Sequence, residues 1–174
     1  MAEFYLRQAA FLRKKDLDGP SDLKLLARNS QKRLFIGIGI ELLLKAVYLK
    51  NGYAINKPCD STLKLPFTFQ QAHKAQLKDD DTFTLNQLID QFGKVENLAS
   101  DQSVMKGLRI AKVFRNKEGH SVTEQHAFDA SNYQDIECAL RMMYCRAFGE
   151  RIKVRFSLAP NETPLWHITP CKSP

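Results

Sequence analysis

The sequence lacks an apolar run long enough to cross a membrane, and it lacks paired cysteine motifs. The longest apolar stretch, Leu34 to Leu49, is interrupted by Glu41 and Lys45 and is shorter than the roughly 20 residues that a bilayer span requires. No signal-peptide pattern opens the chain, and none of the cysteines belongs to a Cys-x-x-Cys pair. We therefore expect a cytoplasmic protein with reduced thiols and no membrane contact, in which Cys138 and Cys145 face a core.

Phosphate-binding glycine loops and metal-ligand clusters are also missing. Gly37-Ile38-Gly39 lacks the third glycine and the preceding strand of a dinucleotide-binding turn. Asp79-Asp80-Asp81 lacks the glycine and the distal glutamate of an EF-hand loop. His126 follows His120 by six residues, but no cysteine or carboxylate at ligand spacing completes a zinc site. We therefore expect no cofactor and no bound metal.

The chain has the size of one globular domain and an excess of positive charge. Its 174 residues are 44% hydrophobic and 26% charged, close to the average for folded domains. Lys and Arg number 26 against 19 Asp and Glu, a net charge of +7, and residues 1–50 carry ten of those cations against five acidic residues. Such an excess is compatible with a polyanionic partner, although a solvated helix face explains it as well.

Helical periodicity dominates the first 50 residues. An amphipathic helix is predicted over 2–16, with Asp18-Gly19-Pro20 as the breaker after it. Its apolar face is predicted to contain Phe4, Tyr5, Ala9, Phe11 and Leu12. A long helix is predicted from Asp22 to about Asn51, with Ser21 as its N-cap and Gly52 at its C-terminal cap.

Four residues inside this long helix depart from a simple amphipathic pattern. Gly37 and Gly39 each cost about 1 kcal/mol relative to alanine in a helix, and they would allow another helix to pack closely. Glu41 and Lys45 are four residues apart in the favourable order. In so apolar a stretch we expect them to be a partly buried pair.

The remainder of the helical region is shorter and more broken. Residues 53–82 are irregular by pattern, with room for a short helix at 67–77. A capping box at Thr84 predicts a helix over 85–92. A further helix is predicted from about Ser100 or Asp101 to Lys117–Glu118, and it carries Val104, Leu108, Ala111 and Phe114 toward the core. A final helix is predicted over about 132–149 from a capping box that begins at Ser131.

The periodicity changes after Gly149. Ile152, Val154 and Phe156 alternate with charged residues, which predicts a strand, and the segment 165–168 is predicted to pair back with it as a small hairpin. The expected architecture is mainly α, a four- or five-helix bundle over residues 1–150, followed by a C-terminal extension over 151–174 that packs on the bundle.

One segment carries a candidate reactive constellation, Arg115-Asn116-Lys117-Glu118-Gly119-His120. If Gly119 ends the helix in a left-handed cap, His120 leaves the helical path and folds back toward Arg115. An imidazole can take a proton from a ribose 2′-hydroxyl at neutral pH, and a guanidinium can hold the adjacent phosphate with two hydrogen bonds. The spacing alone favours a plainer interpretation, a helix C-terminus whose basic residues complement the dipole.

The same residues resemble the Arg-x4-6-His motif of HEPN domains, in which a polar residue such as Asn116 commonly follows the arginine. The segment Ile40–Gly52 is similar to the long second helix of these domains. Leu85–Phe92 resembles the short helix that usually intervenes between that helix and the motif. Together the resemblance spans roughly residues 1–150.

The resemblance implies both a fold and a function. HEPN domains are helical bundles that often dimerise, so that two motifs form one composite site. Many are metal-independent endoribonucleases of toxin–antitoxin, phage-defence or CRISPR-linked systems. The resemblance therefore implies that Arg115 and His120 are catalytic and Asn116 supporting, in a homodimer that supplies two histidines, with an antitoxin protein as a candidate partner. A tyrosine two residues after the histidine marks toxins inactivated by nucleotidylation, and Ser121-Val122 departs from that pattern.

The first hypothesis is therefore a HEPN-like endoribonuclease that leaves a 2′,3′-cyclic phosphate on RNA. The predicted RNA contacts are six cations: Arg13, Lys14, Lys32, Arg33, Lys112 and Lys117. The alternatives are a non-catalytic HEPN-like module that binds a nucleotide, RNA or a partner subunit, and an unrelated helical interaction protein. For the N-terminal cations to serve RNA, they must border the same cleft as Arg115.

Overall fold

The computed structural model describes residues 1–12, 20–59, 63–95, 101–117, 128–157 and 162–171, with the backbone alone for 21–26 and 117. These residues form a mainly helical fold with two small antiparallel sheets. Their six α-helices are α1 (Ala2–Phe11), α2 (Ser21–Lys50), α3 (Phe69–His73), α4 (Leu85–Gln91), α5 (Gln102–Lys117) and α6 (Ala130–Met143). Their four strands are β1 (Asn56–Pro58), β2 (Leu77–Thr82), β3 (Glu150–Arg155) and β4 (Leu165–Pro170). No helix in these ranges is both long and apolar enough to cross a membrane.

The predicted long helix is confirmed as α2, which spans 30 residues. Its N-cap is Pro20, in an extended conformation, so the prediction of Ser21 as the cap is wrong by one residue. Gly52 follows the last turn with a φ of 81°, a conformation that favours glycine after a helix C-terminus.

The first helix packs on α2 through Leu6, Ala9 and Ala10, which are fully buried. The predicted apolar face is correct at Ala9 but wrong at Phe4 and Phe11, which are 55% and 43% exposed. Leu6 enters the interface because Gly39 of α2 leaves room for it, since a Cβ added to Gly39 would lie 2.6 Å from Cγ of Leu6. Residues 13–16 of the predicted helix lie outside the described ranges.

The fifth and sixth helices form a closely packed pair. Four predicted core positions of α5 are fully buried, namely Val104, Leu108, Ala111 and Phe114. Asp129 caps α6, and its carboxylate accepts a hydrogen bond from the backbone N–H of Asn132 at 3.1 Å. The prediction of a cap at Ser131 is therefore wrong by two residues, because the aspartate reaches the free N–H groups first.

A π-helical turn, Tyr144–Phe148, continues α6. Each residue of such a wide turn rotates the chain by less than a residue of an α-helix does. Cys138, which precedes this turn, is half-buried, whereas Cys145 lies within it and is exposed, so the prediction that both cysteines face the core fails for Cys145.

Residues 53–82 are more regular than predicted. The expected short helix is present as α3, and β1 pairs with β2, so that Asn56 lies opposite Thr82. The acidic run Asp79–Asp81 lies in β2 and not in a loop, because Asp81 forms an ion pair across the sheet with Lys57 at 2.7 Å.

The predicted C-terminal hairpin strands are confirmed. β3 and β4 are antiparallel in continuous register, from Glu150 opposite Pro170 to Arg155 opposite Leu165. Alternate residues of this segment, Ile152, Val154 and Phe156, are buried in the same hydrophobic cluster as the helices.

Candidate functional site

Arg115 lies where α5 crosses α2, with its backbone directly against the second helix. A Cβ added to Gly37 would lie 2.8 Å from Cα and N of Arg115, closer than Cβ atoms approach other heavy atoms. The glycine therefore sets the distance between the helices at this point, and the main chain of Arg115 has no room to shift toward α2.

One turn further along α2, Glu41 connects three elements. Its Oε2 lies 3.4 Å from Nε of Arg115, and its Oε1 accepts a hydrogen bond from Nζ of Lys45 at 2.9 Å. The same ammonium donates to Oγ1 of Thr82 in β2 at 2.9 Å. We call this chain of contacts from Arg115 through Glu41 and Lys45 to Thr82 the Glu41 bridge.

The predicted pairing of Glu41 with Lys45 is thus confirmed, with side chains 19% and 16% exposed. The contact to Arg115 was not predicted, because the periodicity of one helix does not reveal which helix packs against it. The only sequence signal is the charge of Glu41 within an apolar stretch, since a partly buried carboxylate needs more than one partner.

The guanidinium of Arg115 is held on one side and open on the other. Its Nε is buried and contacts Glu41 by charge, without the alignment of a hydrogen bond. The side chain as a whole is 41% exposed. Among the described residues its two terminal amino groups have no hydrogen-bond partner, so they remain available to an external oxyanion.

The other motif residues are only partly described. Asn116 is the next residue of α5 and is exposed. Lys117 ends α5, and its side chain is not described. His120 lies outside the described residues, as do Arg13 and Lys14 among the predicted RNA contacts.

Arg33 lies on the same ridge of α2 as Gly37, one turn closer to the N-terminus of the helix. Its guanidinium stacks on the ring of Phe128 at 5.2 Å from the centroid. That ring packs edge-on against Phe114, the residue before Arg115, at 4.7 Å between centroids. Arg33 and Arg115 therefore flank the same end of α5.

Lys112 lies one turn before Arg115 on α5, and its ammonium donates a hydrogen bond to the side-chain oxygen of Asn86 in α4. It therefore faces the α4 side of α5 and is anchored there.

Lys32 is placed in the interior. It is 6% exposed, and its ammonium donates to the backbone oxygen of Phe156 at 2.8 Å. Burial, reinforced by Arg28, lowers the pKa of this lysine to about 8, which Glu137 partly opposes. The sequence offered a signal, because Lys32 precedes the core residues Ile36 and Ile40 in steps of four.

Within the described ranges, no cluster of three or more His, Cys, Asp or Glu residues could hold a metal ion. No protein-family model, curated protein or solved structure matches this chain. The likeness to HEPN domains therefore rests on the residues of this sequence alone.

Proposed function

We propose that this chain is a HEPN-like, metal-independent endoribonuclease, in which Arg115 and His120 of two identical chains form one composite site. The observation that carries the proposal is the state of Arg115. Its main chain packs directly against Gly37 and its Nε faces Glu41, while no described residue bonds to its terminal amino groups. A guanidinium held in this way is prepared to grip a phosphate without losing much side-chain entropy on binding.

The reaction follows from the groups of the motif. His120 takes the proton of a ribose 2′-hydroxyl, and the resulting oxygen attacks the adjacent phosphorus. The bond from phosphorus to the 5′-oxygen breaks, leaving a 2′,3′-cyclic phosphate. The imidazolium of the second chain returns a proton to the departing 5′-oxygen. The terminal amino groups of Arg115 stabilise the charge on the non-bridging oxygens, and Asn116 supports their placement.

Glu41 acts through Arg115 as a positioning residue. By binding Nε it turns the opposite edge of the guanidinium outward, which is the edge that matches two phosphate oxygens. Lys45 compensates the second oxygen of Glu41 at 2.9 Å, so the carboxylate does not fully cancel the charge of Arg115.

The cations that support RNA binding in this proposal are Arg33, beside Arg115, together with Arg13, Lys14 and Lys117, which remain predictions. Lys32 is left out because its ammonium is buried and bonded to Phe156. Lys112 contributes from the α4 side of the same helix. A toxin-type role would add an antitoxin protein that covers this end of α5.

A non-catalytic binding module is the second candidate. The contact between Glu41 and Arg115 favours it, because a partly neutralised arginine can also serve to dock two helices or to bind a nucleotide without reaction. The two candidates differ in whether RNA is cut.

The test is cleavage of a labelled mixed-sequence RNA by purified protein in the presence of EDTA. Wild type should leave 2′,3′-cyclic phosphate ends, and Arg115→Ala and His120→Ala should each slow cleavage by about a hundredfold. Matched controls are Arg109→Ala, an exposed arginine on the same helix, and His73→Ala, an exposed histidine of α3. Equal cleavage by wild type and His120→Ala would overturn the mechanism, and RNA binding without cleavage would favour the second candidate.

A further inference from the structure

A polar pocket of about 420 Å³ lies between α6 and the C-terminal hairpin, outside the Arg115 site. Its volume falls in the range of small-molecule sites. Both α6 and the hairpin contribute charged groups to it. The residues that matter here are Gln134, Glu137 and Arg141 of α6, Lys153 and Arg155 of β3, and Leu165 of β4.

Two cations of this pocket have no directly bonded counter-ion among the described residues. The side chains of Arg141 and Lys153 are exposed, and neither makes a hydrogen bond or ion pair with another described residue. Arg155 donates to Oε1 of Glu162 at 2.9 Å through one terminal nitrogen. Because that pair is exposed and a guanidinium has five N–H donors, Arg155 keeps most of its binding capacity.

Glu137 offsets these cations only in part, because its carboxylate is bonded to the backbone. It is 7% exposed and accepts a hydrogen bond from the backbone N–H of Phe156 at 2.6 Å. Lys32 holds the carbonyl of the same residue. Burial raises the pKa of Glu137, while hydrogen bonds from the backbone N–H groups of Phe156 and Ser157, followed by the charges of Arg141 and Arg155, act in the opposite direction. The carboxylate therefore anchors the chain where β3 ends, and part of the positive charge of the pocket remains for a ligand.

The strand adds a row of positive charge at regular spacing. Arg151, Lys153 and Arg155 are exposed, whereas the residues between them are buried. Alternate residues of a strand are about 6.8 Å apart. His167, which is also exposed, lies opposite Lys153 in β4.

We propose that this pocket is a phosphate-binding site that takes the phosphate of a nucleotide or of an RNA strand. Guanidinium and ammonium groups converging on one polar pocket are the donor set that phosphate oxygens prefer. The row of cations on β3 would guide the neighbouring phosphates of a strand into the pocket. The site does not depend on the proposed cleavage at Arg115.

Three ligands test the proposal on the intact protein by isothermal titration calorimetry: adenosine diphosphate, adenosine, and a 2′-O-methylated oligoadenylate. The methylated strand lacks the attacking hydroxyl, so its binding is measured whether or not the protein is a nuclease. The test variant is Arg141→Glu with Lys153→Glu. The control variant, Lys74→Glu with Lys94→Glu, makes the same charge change at two exposed lysines elsewhere.

We expect the test variant to weaken binding of the phosphate-bearing ligand by about tenfold or more, while the control stays within about twofold. Adenosine should not bind. Binding of the diphosphate identifies a nucleotide site, and binding of the methylated strand alone identifies an RNA anchor. Equal weakening in both variants, or no binding of either phosphate ligand to wild type, would overturn the proposal. Circular dichroism checks that both variants fold, and Arg141→Gln with Lys153→Gln repeats the test without charge reversal.

Discussion

Replacing Gly37 with alanine tests the crossing of α2 and α5 on which the site depends. The new methyl group would lie 2.8 Å from the backbone of Arg115, about 0.6 Å inside ordinary van der Waals contact, so α5 must move. Such overpacking costs about 1–3 kcal/mol, whereas alanine gains about 1 kcal/mol over glycine in helix propensity. The net expectation is a loss of about 1 kcal/mol, and the displaced Arg115 should cleave RNA more slowly.

Thermal and urea unfolding measure this loss, which corresponds to a fall in Tm of about 2–4 °C for a domain of this size. Gly39→Ala is the matched control on the same helix. There the added methyl would lie 2.6 Å from Cγ of the buried Leu6 in α1, so we expect a loss of stability there too, but unchanged cleavage because α5 is not displaced. If Gly37→Ala instead raises Tm, as helix propensity alone would, the close crossing of α2 and α5 is refuted.

Three further perturbations follow from individual contacts. In the folded protein, burial lowers the pKa of Lys32 to about 8. Between about pH 8 and the ordinary pKa of a lysine, the unfolded chain therefore binds more protons than the folded protein, so the free energy of unfolding should rise with pH. The free energy of unfolding of wild type, measured in urea, should therefore rise by about 2 kcal/mol between about pH 7.5 and 9.5 relative to that of Lys32→Met. If the free energies of the two proteins change in parallel with pH, the burial of Lys32 is contradicted. Glu41→Gln should slow RNA cleavage by about tenfold through Arg115 while binding of a methylated RNA changes less; an unchanged rate would remove Glu41 from the mechanism. The Sγ atoms of Cys145 and Cys171 are 3.6 Å apart, so this pair should be the first to form a disulfide under mild treatment with an azo oxidant. The oxidant takes the two thiol hydrogens and becomes a hydrazine. A peptide map with Cys59 in the disulfide would contradict the geometry.

The sequence predicted those features that depend on one element at a time. The existence and C-terminal end of α2 follow from apolar residues at helical spacing and a terminal glycine, and the buried face of α5 follows from its spacing of apolar residues. The hairpin strands follow from alternation. In each case the pattern of a single segment states which face is buried.

The features that were missed depend on the partner of each element. Phe4 has the polarity of a core residue but is exposed, because the face of α1 that packs on α2 is the one whose Leu6 fits against Gly39. Lys32 is charged but buried, because the end of β3 supplies a carbonyl 124 residues away. The contact between Glu41 and Arg115 belongs to the same class, since it requires knowledge of how α2 and α5 cross.

The composite site is tested most directly by mixing wild type with an excess of His120→Ala. The two proteins are combined under conditions that exchange subunits and assayed for RNA cleavage with EDTA present. A mixed dimer contains only one intact histidine, so it lacks either the base or the acid of the reaction. At a tenfold excess of the variant, only about one wild-type chain in ten keeps a wild-type partner, so we predict that the cleavage rate per wild-type chain falls about tenfold. A rate per wild-type chain that stays unchanged after exchange would contradict a site shared between two chains.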